Sequence, residues 1–328
     1  MSQRTAGTFT GLIDGTFGLL RQTWKTTLLC GGIVFLPAAA LYGWAYGRLF
    51  EAYANVLPAM EDASLSSVLV LVKAFSWILL AVLVQGFAAL FVRSCVTAQA
   101  AGAVRGRGAA VPAIAARVLR QDGARLVGQR VLQGLVYTGV LLAVAAVCAN
   151  VAVIVVAITS GFGEAADTTG LTVGLVLLAY PAGIAVWVWL WVRFSLTLES
   201  VVIDGSRARQ SFGLSASLVR GGWWRVFGYR FLFAVMLGFA ASLIATPIVF
   251  FATIRAYARY LSEMVQGTAD AGSLVDMLRT MGSGLPVRLA IFLFLSSLLK
   301  AFFAPAFMTL LYFAMKRRKA EASRQAGS

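Results

Sequence analysis

Histidine is absent from this 328-residue chain, cysteine occurs only three times, and 13 acidic side chains stand against 28 lysines and arginines. Without histidine the commonest general base and metal ligand is missing. Cys30, Cys95 and Cys148 fall in or beside apolar runs, where an odd count fits packing rather than a disulfide framework. No Cys or carboxylate cluster has metal-ligand spacing, no phosphate-cradling Gly-lysine loop occurs, and there is no Gly-x-Ser-x-Gly elbow. The one arrangement that intramembrane chemistry could use is Ser296, Ser297 and Lys300. No catalytic residue is therefore assigned, and no metal or cofactor is expected. Charge is scarce too: 12% of residues are charged and 60% hydrophobic, too little polar surface for a water-soluble domain. The period-two alternation of a β-barrel is also missing. The apolar stretches are continuous Leu, Ala, Val and Phe blocks, for which helices are the spanning solution.

What is present is apolar length. A hydrocarbon core of ~30 Å needs roughly 20 apolar residues per helix. Six segments qualify, at about 27–47, 66–92, 127–158, 170–192, 227–254 and 289–315. Leu36-Pro-Ala-Ala-Ala40 resembles a cleavage site, but the run is long and well inside the chain, so a retained span is expected. The basic residues are sorted by loop. Three precede the first span, seven lie between spans two and three, six between spans four and five, and five follow span six, which puts 21 on one side. The other side holds Arg48, Arg255, Arg259, Arg279 and Arg288, with eight of the 13 acids, Asp62 and Asp167 among them. The positive-inside rule then places both termini in the cytoplasm. Topology accounts for the +15 charge, and no nucleic-acid partner is expected.

The chain also echoes itself. Arg120-Gln-Asp-Gly-Ala-Arg125-Leu-Val-Gly128 lies one hundred residues before Arg220-Gly-Gly-Trp-Trp-Arg225-Val-Phe-Gly228, and Phe91-Val-Arg93 one hundred before Trp191-Val-Arg193. Arg21-Gln-Thr-Trp-Lys25 is a looser copy. Each precedes an apolar run, which predicts three repeats, at about 8–100, 108–200 and 205–317, each an amphipathic helix followed by a transmembrane hairpin. The fold class expected is all-α, a six-span integral membrane protein with both termini inside. The amphipathic stretches are 8–24, a segment from Val111 and Pro112, and a segment after Asp204-Gly205. They either lie in the interface with a basic face on anionic headgroups or pack as connectors on the bundle. The residues offered to headgroups are Arg21, Lys25, Arg117, Arg120, Arg125, Arg207, Arg209, Arg220 and Arg225. Tryptophans at the predicted span ends read as an interfacial belt. The 255–287 loop has room for one or two short helices ending at Gly282-Ser-Gly284, and a frayed tail is expected from about 319.

Lys300 lies twelve residues after Arg288 and sixteen before Lys316, within the hydrocarbon layer. A charge there costs ~2.5–3.5 kcal/mol on insertion scales, so it marks function or snorkels to an interface. Ser296 and Ser297 sit one turn before it. Pro181 and Pro305 occupy matching depths, twelve residues before Arg193 and Arg317, and either frame a pathway with Lys300 or simply bend their helices. Gln85 and Asn150 are expected to hydrogen-bond between helices. Glu199 is expected to pair with Arg193, and Asp204 to serve a turn.

Three passages carry a resemblance. Phe17-Gly-Leu-Leu-Arg-Gln-Thr-Trp-Lys25 runs into a span with Leu36-Pro37. Leu198-Glu199-Ser-Val-Val-Ile-Asp-Gly205 leads to Ser217-Leu-Val-Arg-Gly-Gly-Trp-Trp-Arg225. Pro305 is followed by Leu310-Leu-Tyr312 and Arg317-Arg318. Together they resemble the membrane domain attached to some bacterial glycerophosphoryl diester phosphodiesterases and its stand-alone six-span relatives. In that family catalysis belongs to a separate barrel with histidine and metal-binding carboxylates, which this chain lacks. The resemblance implies a membrane module without the phosphodiesterase activity. Two functional classes follow: an accessory or scaffold module touching anionic lipid and other membrane proteins of a bacterial cytoplasmic membrane, or a transporter or lipid-handling protein with a pathway between repeats.

Overall fold

The computed structural model describes residues 8–57, 65–160, 181, 183–268 and 270–325. Among them there is no strand. The elements are α1 (Phe9–Val56), α2 (Leu65–Val104), α3 (Val111–Arg117), a π-helical turn (Val118–Asp122), α4 (Gly123–Ser160), α5 (183–193), α6 (Thr197–Asp204), α7 (Ala208–Val219), α8 (Trp223–Val265) and α9 (Ala271–Gln325). Six helical stretches are long and apolar enough to cross a membrane: Phe9–Val56, Leu65–Val104, Val111–Val147, Gly183–Asp204, Trp223–Phe251 and Gly272–Gln325. The chain is a multi-pass membrane protein. Part of the span expected at 170–192 lies outside the described residues, as do Asp62 and Asp167.

The helices outrun the expected spans. Thr8 caps α1 by accepting the Gly11 N–H at 3.2 Å, and the helix then runs 48 residues, about 72 Å at 1.5 Å per residue. The segment 8–24 is therefore continuous with the first span rather than a separate interfacial helix. Nothing in Arg21–Lys25 breaks it, and Thr16, Thr23 and Thr27 return their hydroxyls to carbonyls four residues back, at 2.7, 3.1 and 3.2 Å. The second amphipathic segment merges into α4 through the π-turn. The third, α7, stands alone. The loop expected at 255–287 contracts to 266–270, because α9 continues through Gly282-Ser-Gly284. The tail is helical to Gln325 rather than frayed. Lys316 Nζ reaches Asp204 Oδ2 at 2.8 Å and Lys319 Nζ reaches Ser217 Oγ at 3.0 Å, which ties down the last turns.

Two compact units divide the chain, Met1–Arg120 with Arg230–Leu311 and Gln121–Tyr229 with Tyr312–Ser328, cutting across the three expected repeats. In the first unit, α1 buries Gly31, Ala38, Ala45 and Ala52, and α2 buries Ala74, Ala81, Ala88 and Cys95. Each stripe repeats every seven residues, which keeps small side chains on one face and lets backbones approach. The pair runs antiparallel. Tyr53 meets Phe75, Trp44 meets Trp77, Cys30 and Cys95 are both buried with free thiols, and Gln99 Nε2 donates to Gln22 O at 3.0 Å. The first part of α9 lies along another face of α1. A Cβ at Gly43 would come within 2.2 Å of the Pro286 carbonyl oxygen, and one at Gly47 within 2.9 Å of Pro286 Cγ. Phe17 packs edge-on to Phe303.

In the second unit, α6 is buried from Thr197 to Ile203. Gln129 of α4 donates to Thr197 Oγ1 at 2.9 Å. Ser215 of α7 accepts the Leu196 N–H at 3.2 Å and donates to Arg193 O at 2.8 Å. This joins the end of α5, the turn at 194–196 and α7 at one point.

Candidate functional site

The polar residues of the sixth span do not form one site. Ser296 is buried and donates to Leu293 O at 3.2 Å. Ser297 accepts from Gln85 Nε2 at 2.8 Å, the interhelical bond expected of Gln85. Lys300 is exposed and has no side-chain partner among the described residues. It lies about 40° round the helix from Ser296, since four residues turn through slightly more than one revolution. The short hydroxyl thus stays inside while the long ammonium leaves. Pro305 is buried, and its carbonyl accepts from Thr309 Oγ1 at 2.8 Å. Pro181 is exposed and belongs to the other compact unit. Among the described residues, Asn150 Nδ2 donates to Ala146 O of its own helix at 2.7 Å.

All nine basic residues offered to headgroups (Arg21, Lys25, Arg117, Arg120, Arg125, Arg207, Arg209, Arg220 and Arg225) are exposed. Arg125 Nη1 also reaches Gly205 O at 3.2 Å. Only Arg220 lines the site the second unit builds. There α7 ends as Arg220 leaves the helical region (φ −58°, ψ 130°), and Gly221 follows at φ +78°. A side chain strains at such a φ. Gly222 N–H closes the turn on Val219 O at 3.0 Å, and a Cβ at Gly222 would press on Arg318 Nη1 and Met315 Cε at 3.0 and 3.1 Å. The elbow thus needs glycine at 221 for its angle, while at 222 a side chain would require the Arg318 and Met315 tips to shift by a few tenths of an ångström.

Against this elbow α5 presents Ala185, Trp189 and Arg193, spaced four residues apart on one face. With Ala216, Val219, Arg220, Gly221, Trp223 and Trp224 they line a cavity of about 790 Å³. The Arg193 guanidinium lies 4.6 Å from the Trp189 ring centroid, a cation–π contact. Trp223 stacks on Phe227 with ring centroids 5.3 Å apart and meets Trp224 edge-on at 4.7 Å.

The Arg193–Glu199 pair expected from sequence does not form. The turn at 194–196 separates them: Glu199 is carried into the buried face of α6, while Arg193 stays exposed at the end of α5. Asp204 precedes the left-handed Gly205 turn that ends α6, and it also accepts from Tyr312 and Lys316 of α9. Trp189, Arg193, Trp223 and Trp224 are the site residues that sequence reasoning missed, the tryptophans having been read only as a belt. The four-residue spacing of an aromatic and an arginine was the available signal.

Comparison of the chain with protein-family models, curated proteins and solved structures finds no match.

Proposed function

We propose that this chain is a non-enzymatic accessory or scaffold module of a bacterial cytoplasmic membrane that engages anionic lipid through its basic side and recruits or stabilises other membrane proteins. The observation that carries the reading is that nine basic side chains, spread over α1, α3, the π-turn, α4, α7 and the start of α8, are all exposed. They fall in the segments that the positive-inside rule assigns to the cytoplasm. Six helices long and apolar enough to cross a membrane support a location of those segments at its surface. Both termini inside, and descent from three copies of an amphipathic helix with a hairpin, belong to the same reading. So does kinship with the stand-alone relatives of the phosphodiesterase membrane domain. These rest on the sorted charge, the hundred-residue echoes and the three passages quoted above.

Two measurements test it. Single cysteines placed in a cysteine-free background at Asp62 and Asp167 should react with an impermeant maleimide from outside, and those at Arg107, Arg207 and Arg324 should be protected. Reversal at two positions overturns the topology. The purified protein in nanodiscs should melt higher with phosphatidylglycerol than with phosphatidylcholine, and equal melting overturns lipid engagement. Hydrolysis of a phosphodiester or lipid ester that is lost on Ser297→Ala or Lys300→Met would overturn the non-enzymatic assignment.

A further inference from the structure

We infer that the cavity at the α7–α8 elbow binds a phosphate ester anion, with Arg193 and Arg220 as the ligating cations and Trp189, Trp223 and Trp224 as the wall for the rest of the molecule. The inference deepens the lipid-engaging reading and rests on it only for the source of the phosphate.

Four observations converge. First, the volume of about 790 Å³ lies in the range of small-ligand sites, roughly 300–1,000 Å³. Second, neither guanidinium has a carboxylate partner among the described residues. Of the described acids of the same unit, Asp204 holds Lys316, Asp122 Oδ1 lies 4.0 Å from Arg125, Glu199 is buried in α6, and Glu321 is exposed near the end of α9 without an ion pair to either arginine. Two unpaired cations on one cavity raise a positive potential that an anion relieves. Third, the Trp223 indole N–H is buried with no acceptor among the described residues, although buried tryptophans usually find one. Fourth, the cavity includes Trp223 and Trp224 at the start of α8, whose first turn carries no acidic side chain. Its free backbone N–H groups favour an anion.

The chemistry selects phosphate over carboxylate. Donors reach the cavity from α5, from the connector and from α8, so they approach from different directions. A carboxylate offers two oxygens in one plane, whereas a phosphate offers oxygens tetrahedrally and suits guanidinium forks. Ala185, Ala216, Val219 and the indole faces line the remainder, which suits a glycerol or acyl continuation. A lipid headgroup and a soluble glycerol phosphate share this chemistry.

The experiment uses the full chain. Phosphatidylglycerol binding is read by native mass spectrometry. Binding of sn-glycerol 3-phosphate is read by calorimetry in phosphatidylcholine nanodiscs. Arg193→Gln with Arg220→Gln should weaken the bound probe about tenfold or more, because two charge-assisted contacts go. Arg193→Lys with Arg220→Lys should fall between. The control pair Arg105→Gln with Arg107→Gln, exposed and outside both the cavity and the nine headgroup residues, should leave binding unchanged.

If the soluble ester fails to bind while lipid binding is lost in the glutamine pair, the source is a headgroup. If the soluble ester binds and competes with lipid, the site serves a free phosphate ester. A parent protein that shows no lipid preference but binds the soluble ester through Arg193 and Arg220 keeps the cavity assignment and refutes lipid engagement. A parent that prefers phosphatidylglycerol, with the preference untouched in the glutamine pair, keeps lipid engagement and refutes the cavity. Failure of both probes on the parent also refutes it. Should the glutamine pair not fold, Trp223→Phe keeps an aromatic ring, smaller than the indole, and removes the N–H. It should weaken binding several-fold, and unchanged binding there, together with full affinity in the lysine pair, overturns the assignment.

Discussion

Arg21–Lys25 and Arg220–Arg225 are similar basic and aromatic passages, and the backbone treats them in opposite ways. The first lies uninterrupted within the first half of a 48-residue helix, and the second separates α7 from α8. Between these extremes, Val118–Asp122 widens to a π-turn without stopping the helix. The difference lies in the two residues after the leading arginine: Gln22-Thr23 continues the helix, Gln121-Asp122 stretches it, and Gly221-Gly222 ends it. Glycine is not a breaker by itself, however. Along α1, Gly31, Gly43 and Gly47 stay helical and serve as places where α9 comes close. The same residue type supplies space in one region and backbone angle in the other.

Gly43→Ala should produce the largest effect, because its Cβ would meet a backbone carbonyl at 2.2 Å that cannot simply rotate away. A loss of roughly 1–3 kcal/mol is expected, as for overpacked cores, seen as a lower melting temperature in detergent. Gly32→Ala, with nothing within 4 Å, is the matched control and should be neutral or slightly stabilising. Equal effects at the two positions would remove the role of glycine as space.

Gly221→Ala should cost less, about 1–2 kcal/mol, from the positive φ alone, since nothing lies within 4 Å of its Cβ. Gly221→Asn should recover part of the loss because asparagine tolerates that region. An alanine variant as stable as the parent would show that the elbow does not depend on angle.

The smallest effect concerns the start of α9, a helix entry of a third kind, made by a carboxylate. Asp270 Oδ1 accepts from the Ser273 N–H at 2.7 Å and from its hydroxyl at 3.1 Å, and these bonds lower the carboxyl pKa. A depressed folded pKa adds stability above the unfolded value of ~3.9, and that stability is lost as pH falls through the folded value. Amide exchange at Ser273 should therefore accelerate below about pH 4 relative to Asp270→Asn, which lacks the titration. Parallel profiles would exclude the cap.

The six apolar spans and the helical class were legible because continuous apolar runs of bilayer length admit few other structures. Helix ends were not, because local glycine content does not say whether a glycine turns the chain or receives a neighbour. Gly282-Ser-Gly284 resembled a loop end, yet Gly282 is a contact site facing Phe50. Depth was legible for Lys300, but its face was not, since about 40° of helical rotation separates the buried Ser296 from the exposed lysine. At the candidate site, Arg220 was visible in its repeated passage. Arg193 was assigned to Glu199 by proximity in sequence, and the intervening turn sends the two apart.

The seven-residue stripes of alanine and glycine on α1 and α2 bear on how the protein is made. Alanine and glycine have almost no side-chain freedom to surrender on contact, and both stripes lie within the first 104 residues. The leading hairpin can therefore close while the rest of the polypeptide is still being synthesised. Gly43 and Pro286 are more than two hundred residues apart, so their contact forms only after the last helix has been inserted. The strip of α1 around Gly43 and Gly47 remains an open berth through most of synthesis. A ribosome stalled before α9 would leave a membrane intermediate with its first hairpin formed and that berth unfilled.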